Sequence, residues 1–212
     1  MTIATLQKRD ASFWDRIATK YAKKPVGDAD AYEAKLALVR SKLKATYHVL
    51  EIGCGTGTTA IKLAPIVRHY AATDLSHAMV EIAENKLTPS SPQNITFRRG
   101  SATDEIEGRP FDAVLAFSLL HLVDDVPTVL EQVVKSLKPG GLFIAKTECL
   151  KDRSYILRVL VPLLTAAGVA PKVLSLSSED LHQFLTDAGL VVEETLHFGK
   201  NSSSPVMVAR RA

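Results

Sequence analysis

The sequence predicts an α/β fold built on a parallel sheet, and three observations predict it. Short apolar runs alternate with segments of helical period from His48 to Thr147, the order of strands and crossover helices. The run Phe111–Phe117 is nearly all apolar, as a strand covered on both faces must be. Three glycines cluster where one predicted strand gives way to a helix. In a doubly wound sheet that junction lies at the ligand-binding edge.

Each element follows from local pattern. Ala11–Lys24 places Phe13, Trp14, Ile17, Ala18 and Tyr21 at helical spacing, and Pro25 and Gly27 end it. Asp30 with Glu33 resembles a capping box for a second helix, which carries Leu36, Val39 and Leu43 on one stripe. His48–Ile52 is a strand broken by Gly53. Thr58–Val67 is a helix that ends near Pro65. His69–Thr73 is the second strand, and Ser76 is the N-cap of a helix to Leu87. After the loop Pro89–Pro92 come strands Ile95–Arg98 and Phe111–Phe117. Asp124 or Asp125 caps a helix to Leu137, which Lys138-Pro139-Gly140-Gly141 terminates, and Leu142–Thr147 is the fifth strand. Asp152 to Ser177 is an apolar helical insertion. Ser178–Ala188 is a helix. Leu190–Phe198 and Val206–Arg210 are strands joined by the loop Gly199 to Pro205, short enough to require an antiparallel hairpin.

Composition bounds the function. The 212 residues suit a single domain, with 46% hydrophobic and 23% charged residues. The segments 1–44, 45–148 and 149–212 read as a helical lead, a ligand-binding core, and an insertion with terminal hairpin. Two cysteines, Cys54 and Cys149, are too few for a disulfide framework, so a reducing cytoplasmic setting is expected. The net charge of +3 is spread along the chain, which argues against a nucleic-acid partner. The apolar region from Ile156 to Ala170 is too short for a membrane span and contains Arg158 and Pro162. No spaced His, Glu or Cys pattern points to a metal.

The densest chemistry is Glu51-Ile52-Gly53-Cys54-Gly55-Thr56-Gly57. Glycines at such a junction let the backbone turn sharply and approach a ligand. A dinucleotide fingerprint has the spacing G-x-G-x-x-G, whereas this loop reads G-x-G-x-G with Thr58 at the third glycine position. The loop therefore favours a nucleoside ligand other than a dinucleotide. Asp74, at the end of the second strand, is suited to accept both hydroxyls of a ribose. Ser76 already fits the helix cap, which frees Asp74 for that role.

Val49–Ala60 together with Asp74, Phe111-Asp112 and Leu137–Gly141 resembles the class I S-adenosylmethionine-dependent methyltransferase family. The similarity is greatest to its small-molecule branch, as in quinone biosynthesis. The resemblance implies a Rossmann-like doubly wound sheet of seven strands, the last antiparallel, with an N-terminal helical lid. It implies S-adenosylmethionine as cofactor. Gly53 and Gly55 would pass under its methionine and ribose parts, with Glu51 supporting that region. Asp74 would take the ribose hydroxyls, and Leu75 and Met79 would pack near the adenine. Ser101 and Ala102 would sit at the adenine edge, where many relatives carry an aspartate. The backbone of Phe117 and Ser118 would face the methionine amino group.

The reaction implied is in-line displacement at an activated methyl, with much of the catalysis arising from alignment. A hydroxyl acceptor needs a base. His121, a few residues past the fourth strand, is one candidate. Tyr21 is another, through a hydrogen bond to cofactor or substrate. Phe13, Trp14, Tyr21 and His121 are the candidate lining of a substrate pocket. The insertion is open to three readings: an apolar substrate wall, a dimer surface, or more core. The partner expected is a small-molecule acceptor, and the state a monomer or homodimer. Two alternatives stand beside this reading: a nicotinamide-dependent oxidoreductase, and a non-catalytic protein that binds an adenosyl ligand. DNA amine methyltransferases carry an Asn/Asp-Pro-Pro-aromatic motif that Phe117-Ser118-Leu119-Leu120 does not match.

Overall fold

Seven strands form a sheet in the order β3-β2-β1-β4-β5-β7-β6. The computed structural model describes residues 3–106, 110–199 and 203–212. The strands are β1 (His48–Ile52), β2 (His69–Asp74), β3 (Ile95–Arg99), β4 (Phe111–Phe117), β5 (Leu137–Lys146), β6 (Leu190–Leu196) and β7 (Val206–Arg211). The first five run parallel, and β7 is antiparallel to both β5 and β6. The expected sheet and its antiparallel final strand are therefore present. Residues 200–202 of the expected hairpin loop lie outside the described residues.

The helices are α1 (Ile3–Ala22), α2 (Ala29–Lys42), α3 (Thr58–Leu63), α4 (His77–Asn85), α5 (Val126–Ser136), α6 (Tyr155–Ala166) and α7 (Ser178–Asp187). One apolar cluster packs α2, α3 and α4 on one face of the sheet. Another packs α5 and α7 on the other. Val114, Phe143 and Ile144 are fully buried between these layers, which explains their unbroken apolar runs.

Several boundaries differ from the sequence reading. Asp28, not Asp30, caps α2, because its extended backbone lets the carboxylate accept from the N–H of Ala31 at 2.9 Å. Thr58–Val67 is not one helix: Pro65 tightens its end into a 3₁₀ turn, Ala64–Ile66. Helix α5 stops at Ser136, and Leu137 already pairs with Phe111. The Lys-Pro-Gly-Gly run is therefore an irregular stretch inside β5. The Arg211 guanidinium clamps its start by donating to the carbonyls of Val134 and Leu137. Ser76 caps α4 as expected, accepting from the N–H of Met79. Helix α6 buries none of its residues, so within the insertion the core gains only the later Leu174 and Leu176.

Strand order reverses around β1, which has β2 on one side and β4 on the other. Crossovers leave this point in opposite directions and open a crevice at the carboxyl ends of the strands. Register aligns what faces it. Ile52 pairs with Thr73, so Gly53 and Asp74 emerge side by side. Phe117 pairs with Lys146, and Lys146 with Val206, which places these tips along the same edge.

Candidate active site

The loop after β1 is held open by three left-handed glycines. Gly53, Gly55 and Gly57 have φ of 67°, 55° and 72°. Each needs glycine for its own reason. A Cβ at Gly57 would stand 2.8 Å from the Cβ of Ala83 and 2.7 Å from the Phe97 ring, so this glycine lets α3 close on the sheet. A Cβ at Gly55 would meet nothing within 4 Å. Its bare face borders open space.

Asp74 fastens this loop to the next one. Its Oδ2 accepts from the N–H of Gly55 at 2.8 Å, and its Oδ1 accepts from the N–H of Ser76 at 2.9 Å. A carboxylate has about four acceptor sites, so each oxygen keeps capacity for a hydroxyl. Burial raises the Asp74 pKa against the pull of those two bonds.

Two cavities open here. The smaller, about 180 Å³, is walled by Leu75, Met79 and Ala102 on one side and by Leu122, Val123 and Val129 on another. Asp74, Ser101 and Trp14 also line it. The Ser101 hydroxyl is engaged with the Thr103 hydroxyl at 3.0 Å, and Asp104 turns back to accept from the Ser101 N–H at 2.7 Å. The larger cavity, about 610 Å³, is lined by Tyr32, Lys35, Glu51, Lys146, Glu148 and Arg153, among others. Tyr21, Gly53, Gly55, Phe117 and Ser118 border both cavities. Ser118, with φ of 57°, is the one non-glycine in the left-handed region among the described residues. Backbone strain of this kind collects where geometry serves function. The Ser118 N–H holds this turn by donating to the carbonyl of Lys146 at 2.7 Å.

Most of the residues singled out by sequence converge on this edge. Gly53, Gly55, Asp74, Leu75, Met79, Ser101, Ala102, Phe117 and Ser118 line the smaller cavity, with Trp14 and Tyr21 above them. Glu51 lines the larger one. Phe13 stacks edge-on against Trp14 at 5.4 Å and lines neither cavity. His121 also lines neither. It is buried, its Nδ1 accepts from the N–H of Glu148 at 3.4 Å, and burial lowers its pKa to about 4. Helix α1 reaches the site through Asp15, whose Oδ1 accepts from the Ser76 hydroxyl at 2.6 Å and the Ala78 N–H at 3.1 Å.

Sequence reasoning found Glu51 but missed the rest of the charged wall of the larger cavity. Glu51 accepts from the Tyr70 hydroxyl at 2.8 Å, and burial lifts its pKa to about 7. Glu148 is held by Lys146 at 2.7 Å, by Arg153 at 2.6 Å and by the Ser204 hydroxyl at 2.6 Å. Burial opposes ionisation of Glu148, but these partners prevail and hold its pKa at about 2. Lys35 is buried on the apolar stripe of α2. Its spacing gave a signal: Lys35 stands one helical turn before Val39.

A sheet of this order, with a glycine loop after β1 and an acid at the tip of β2, defines a protein that binds an adenosyl cofactor. Residues 50–143 match the family described as a methyltransferase domain. Over this span, under half of its length, the chain is similar to the class I S-adenosylmethionine-dependent methyltransferases. It is similar to a demethylmenaquinone methyltransferase of Leptospira interrogans, 30% identical over 50% of this chain and 45% of that protein. It is similar to a ubiquinone biosynthesis O-methyltransferase of Thiobacillus denitrificans, 27% identical over 81% of this chain and 75% of that one. The fold matches magnesium protoporphyrin IX methyltransferase of Synechocystis, solved with bound S-adenosylhomocysteine, at a TM-score of 0.68. That match has 18% identity and covers 95% of this chain and 94% of the other. The chain spans less than half the length of the Leptospira relative. No described helix is long and apolar enough to cross a membrane.

The family's cofactor is S-adenosylmethionine, and the residues present fit it. Asp74 has free acceptor capacity at the cavity wall, and Gly55 offers a face without a side chain. The slot between Leu75, Met79 and Ala102 is apolar, as a purine face requires.

Proposed function

We propose that this chain moves a methyl group from S-adenosylmethionine to a nucleophilic atom of a small molecule, working as one domain from end to end. The observation that carries this reading is the junction of two cavities at Gly53, Gly55, Phe117 and Ser118. The smaller cavity suits the adenosine part of the cofactor, and the larger one suits the acceptor. When bound, the cofactor supplies a sulfonium-activated methyl group.

The chain's own contribution is orientation. Asp74 accepts the ribose hydroxyls, Leu75 and Met79 hold the adenine face, and Ser101 and Ala102 border its edge. Glu51, bonded to Tyr70, supports the floor beside the glycine loop. Phe117 and Ser118 present backbone at the junction. Tyr21 and Trp14 cover it from α1, which makes α1 a lid that excludes water. Positioning reactants at about 3 Å supplies much of the rate for a displacement that needs no covalent intermediate. In this reading His121 is a scaffold residue: a buried ring whose Nδ1 accepts a backbone proton carries its own proton on Nε2. The quinone and porphyrin methyltransferases among the similar proteins support a small, partly apolar acceptor.

The test is incubation with methyl-labelled cofactor and a fractionated small-molecule extract, read by mass spectrometry for products one methyl heavier. Label transfer that disappears in Asp74→Asn supports the reading. Folded protein that binds S-adenosylhomocysteine but labels nothing across the fractions overturns the catalytic part of it.

A further inference from the structure

Lys35 is 5% exposed, yet its side chain lines the larger cavity. Its Nζ lies 4.0 Å from the centroid of the Phe117 ring and 4.7 Å from that of Tyr32. Among the described residues, no oxygen accepts a hydrogen bond from it. Its neighbours on the wall differ: Lys146 and Arg153 are both held by Glu148. Glu51 attracts Lys35 electrostatically, but its Oε2 is bonded to Tyr70. The ammonium has three donors and presents them to the cavity, where an oxygen of a bound molecule can accept them.

The charge of the cavity points the same way. Its lining has four cations, Lys24, Lys35, Lys146 and Arg153, against three carboxylates, Asp28, Glu51 and Glu148. The sulfonium of the cofactor adds positive charge nearby, which repels a cationic acceptor and favours an anionic one. Tyr21, Tyr32, Phe117 and Phe198 offer flat apolar walls around the same space. Phe117 borders both cavities, so a group held on Lys35 lies beside their junction.

From this juxtaposition of a lysine without a hydrogen-bond acceptor, aromatic walls and excess positive charge, we propose that the acceptor carries an anionic oxygen, a carboxylate or an ionised hydroxyl, and that Lys35 holds it. The proposal rests on the methyltransferase reading and narrows its substrate class. Burial lowers the Lys35 pKa, and the attraction of Glu51 pulls it back toward the charged form.

The experiment compares wild type, Lys35→Met and Lys35→Arg. S-adenosylhomocysteine affinity is measured first by calorimetry. Each protein, saturated with that ligand, is then titrated with matched acid and amide pairs: benzoate and benzamide, 3-hydroxybenzoate and 3-hydroxybenzamide, indole-3-acetate and indole-3-acetamide. Ligand-observed NMR at millimolar concentration reads the binding. Wild type is expected to prefer at least one acid over its amide by about tenfold or more, the scale of a charged hydrogen bond. Lys35→Met should erase that preference, keep S-adenosylhomocysteine affinity within about twofold, and retain its melting temperature, while Lys35→Arg should keep the preference. No acid preference anywhere on the panel, absence of binding included, overturns the proposal. A loss of about tenfold or more in S-adenosylhomocysteine affinity in Lys35→Met also overturns it, since Lys35 then serves the cofactor's own carboxylate. Wild-type protein that fails to bind S-adenosylhomocysteine strikes the functional reading itself, a different failure seen in the first titration.

Discussion

Replacing Asp74 by Asn probes the site at its most connected atom pair. The carboxylate accepts the N–H groups of Gly55 and Ser76 through different oxygens. An amide has one acceptor oxygen, so one backbone N–H must face an NH₂ group. Losing one such buried bond costs about 1–2 kcal/mol of stability. The effect on ligand is larger. Two ribose hydroxyls lose a charged acceptor; one bond disappears and the other becomes neutral, for a loss of about 2–3 kcal/mol, or roughly 30- to 150-fold in affinity. Calorimetry with S-adenosylhomocysteine and its 2′-deoxy analogue separates the two effects. Wild type should bind the deoxy analogue more weakly, and Asp74→Asn should discriminate far less, a coupling that a general loosening of the loop does not produce. Burial raises the Asp74 pKa, so protonation as pH falls through that raised range should weaken binding in wild type and leave the Asn variant flat. Equal discrimination by both proteins would refute the assignment of Asp74 to the ribose.

Four further outcomes are expected. Gly57→Ala should destabilise by about 3 kcal/mol and Gly53→Ala by about 1–2, because Ala83 and Phe97 block the former while a flexible Leu119 side chain faces the latter; urea midpoints check the order. Glu148 has a folded pKa of about 2 against an ordinary 4.5, so its contribution is fully present above pH 4.5 and is lost as pH falls toward 2. Glu148→Gln should therefore lower stability at neutral pH by about 2 kcal/mol, allowing for solvent at its one-third-exposed side chain, and flatten the acid dependence of urea unfolding in that window. His121→Ala should lower stability by about 2 kcal/mol by orphaning the Glu148 N–H, while S-adenosylhomocysteine affinity stays within a fewfold; a collapse of turnover with intact stability would return His121 to the chemistry. The single tryptophan, Trp14, lines the smaller cavity, so its emission should change on titration with S-adenosylhomocysteine, and removal of residues 1–24 should weaken that binding more than it weakens the fold.

Local chemistry was readable without coordinates. Alternation of period marked the strands, Gly53–Gly57 marked the ligand loop, and Ser76 and the pair Asp124–Asp125, of which Asp125 is the cap, marked helix starts, because each signal is contained within a few residues. The Asp28 cap and the early start of β5 were misread for an equally local reason. Two acids compete for one cap, and a Pro-Gly-Gly run reads as a turn until a neighbouring strand pairs with Leu137.

The linear chain set the carriers of chemistry, the order of elements and the acid at the tip of β2. Folding alone chose their company. Lys35 reaches the aromatic walls of the larger cavity, Glu51 turns to Tyr70, and Glu148 gathers Lys146, Arg153 and Ser204 from β5, the insertion and the final hairpin. The Lys35–Phe117, Glu51–Tyr70 and Glu148–Ser204 contacts join residues far apart in the chain, and they exist because parallel strands bring their carboxyl ends to one edge while helices close over it. A sequence encodes periodicity within a short window, whereas charge pairing across a cavity depends on distances that arise after the sheet has formed.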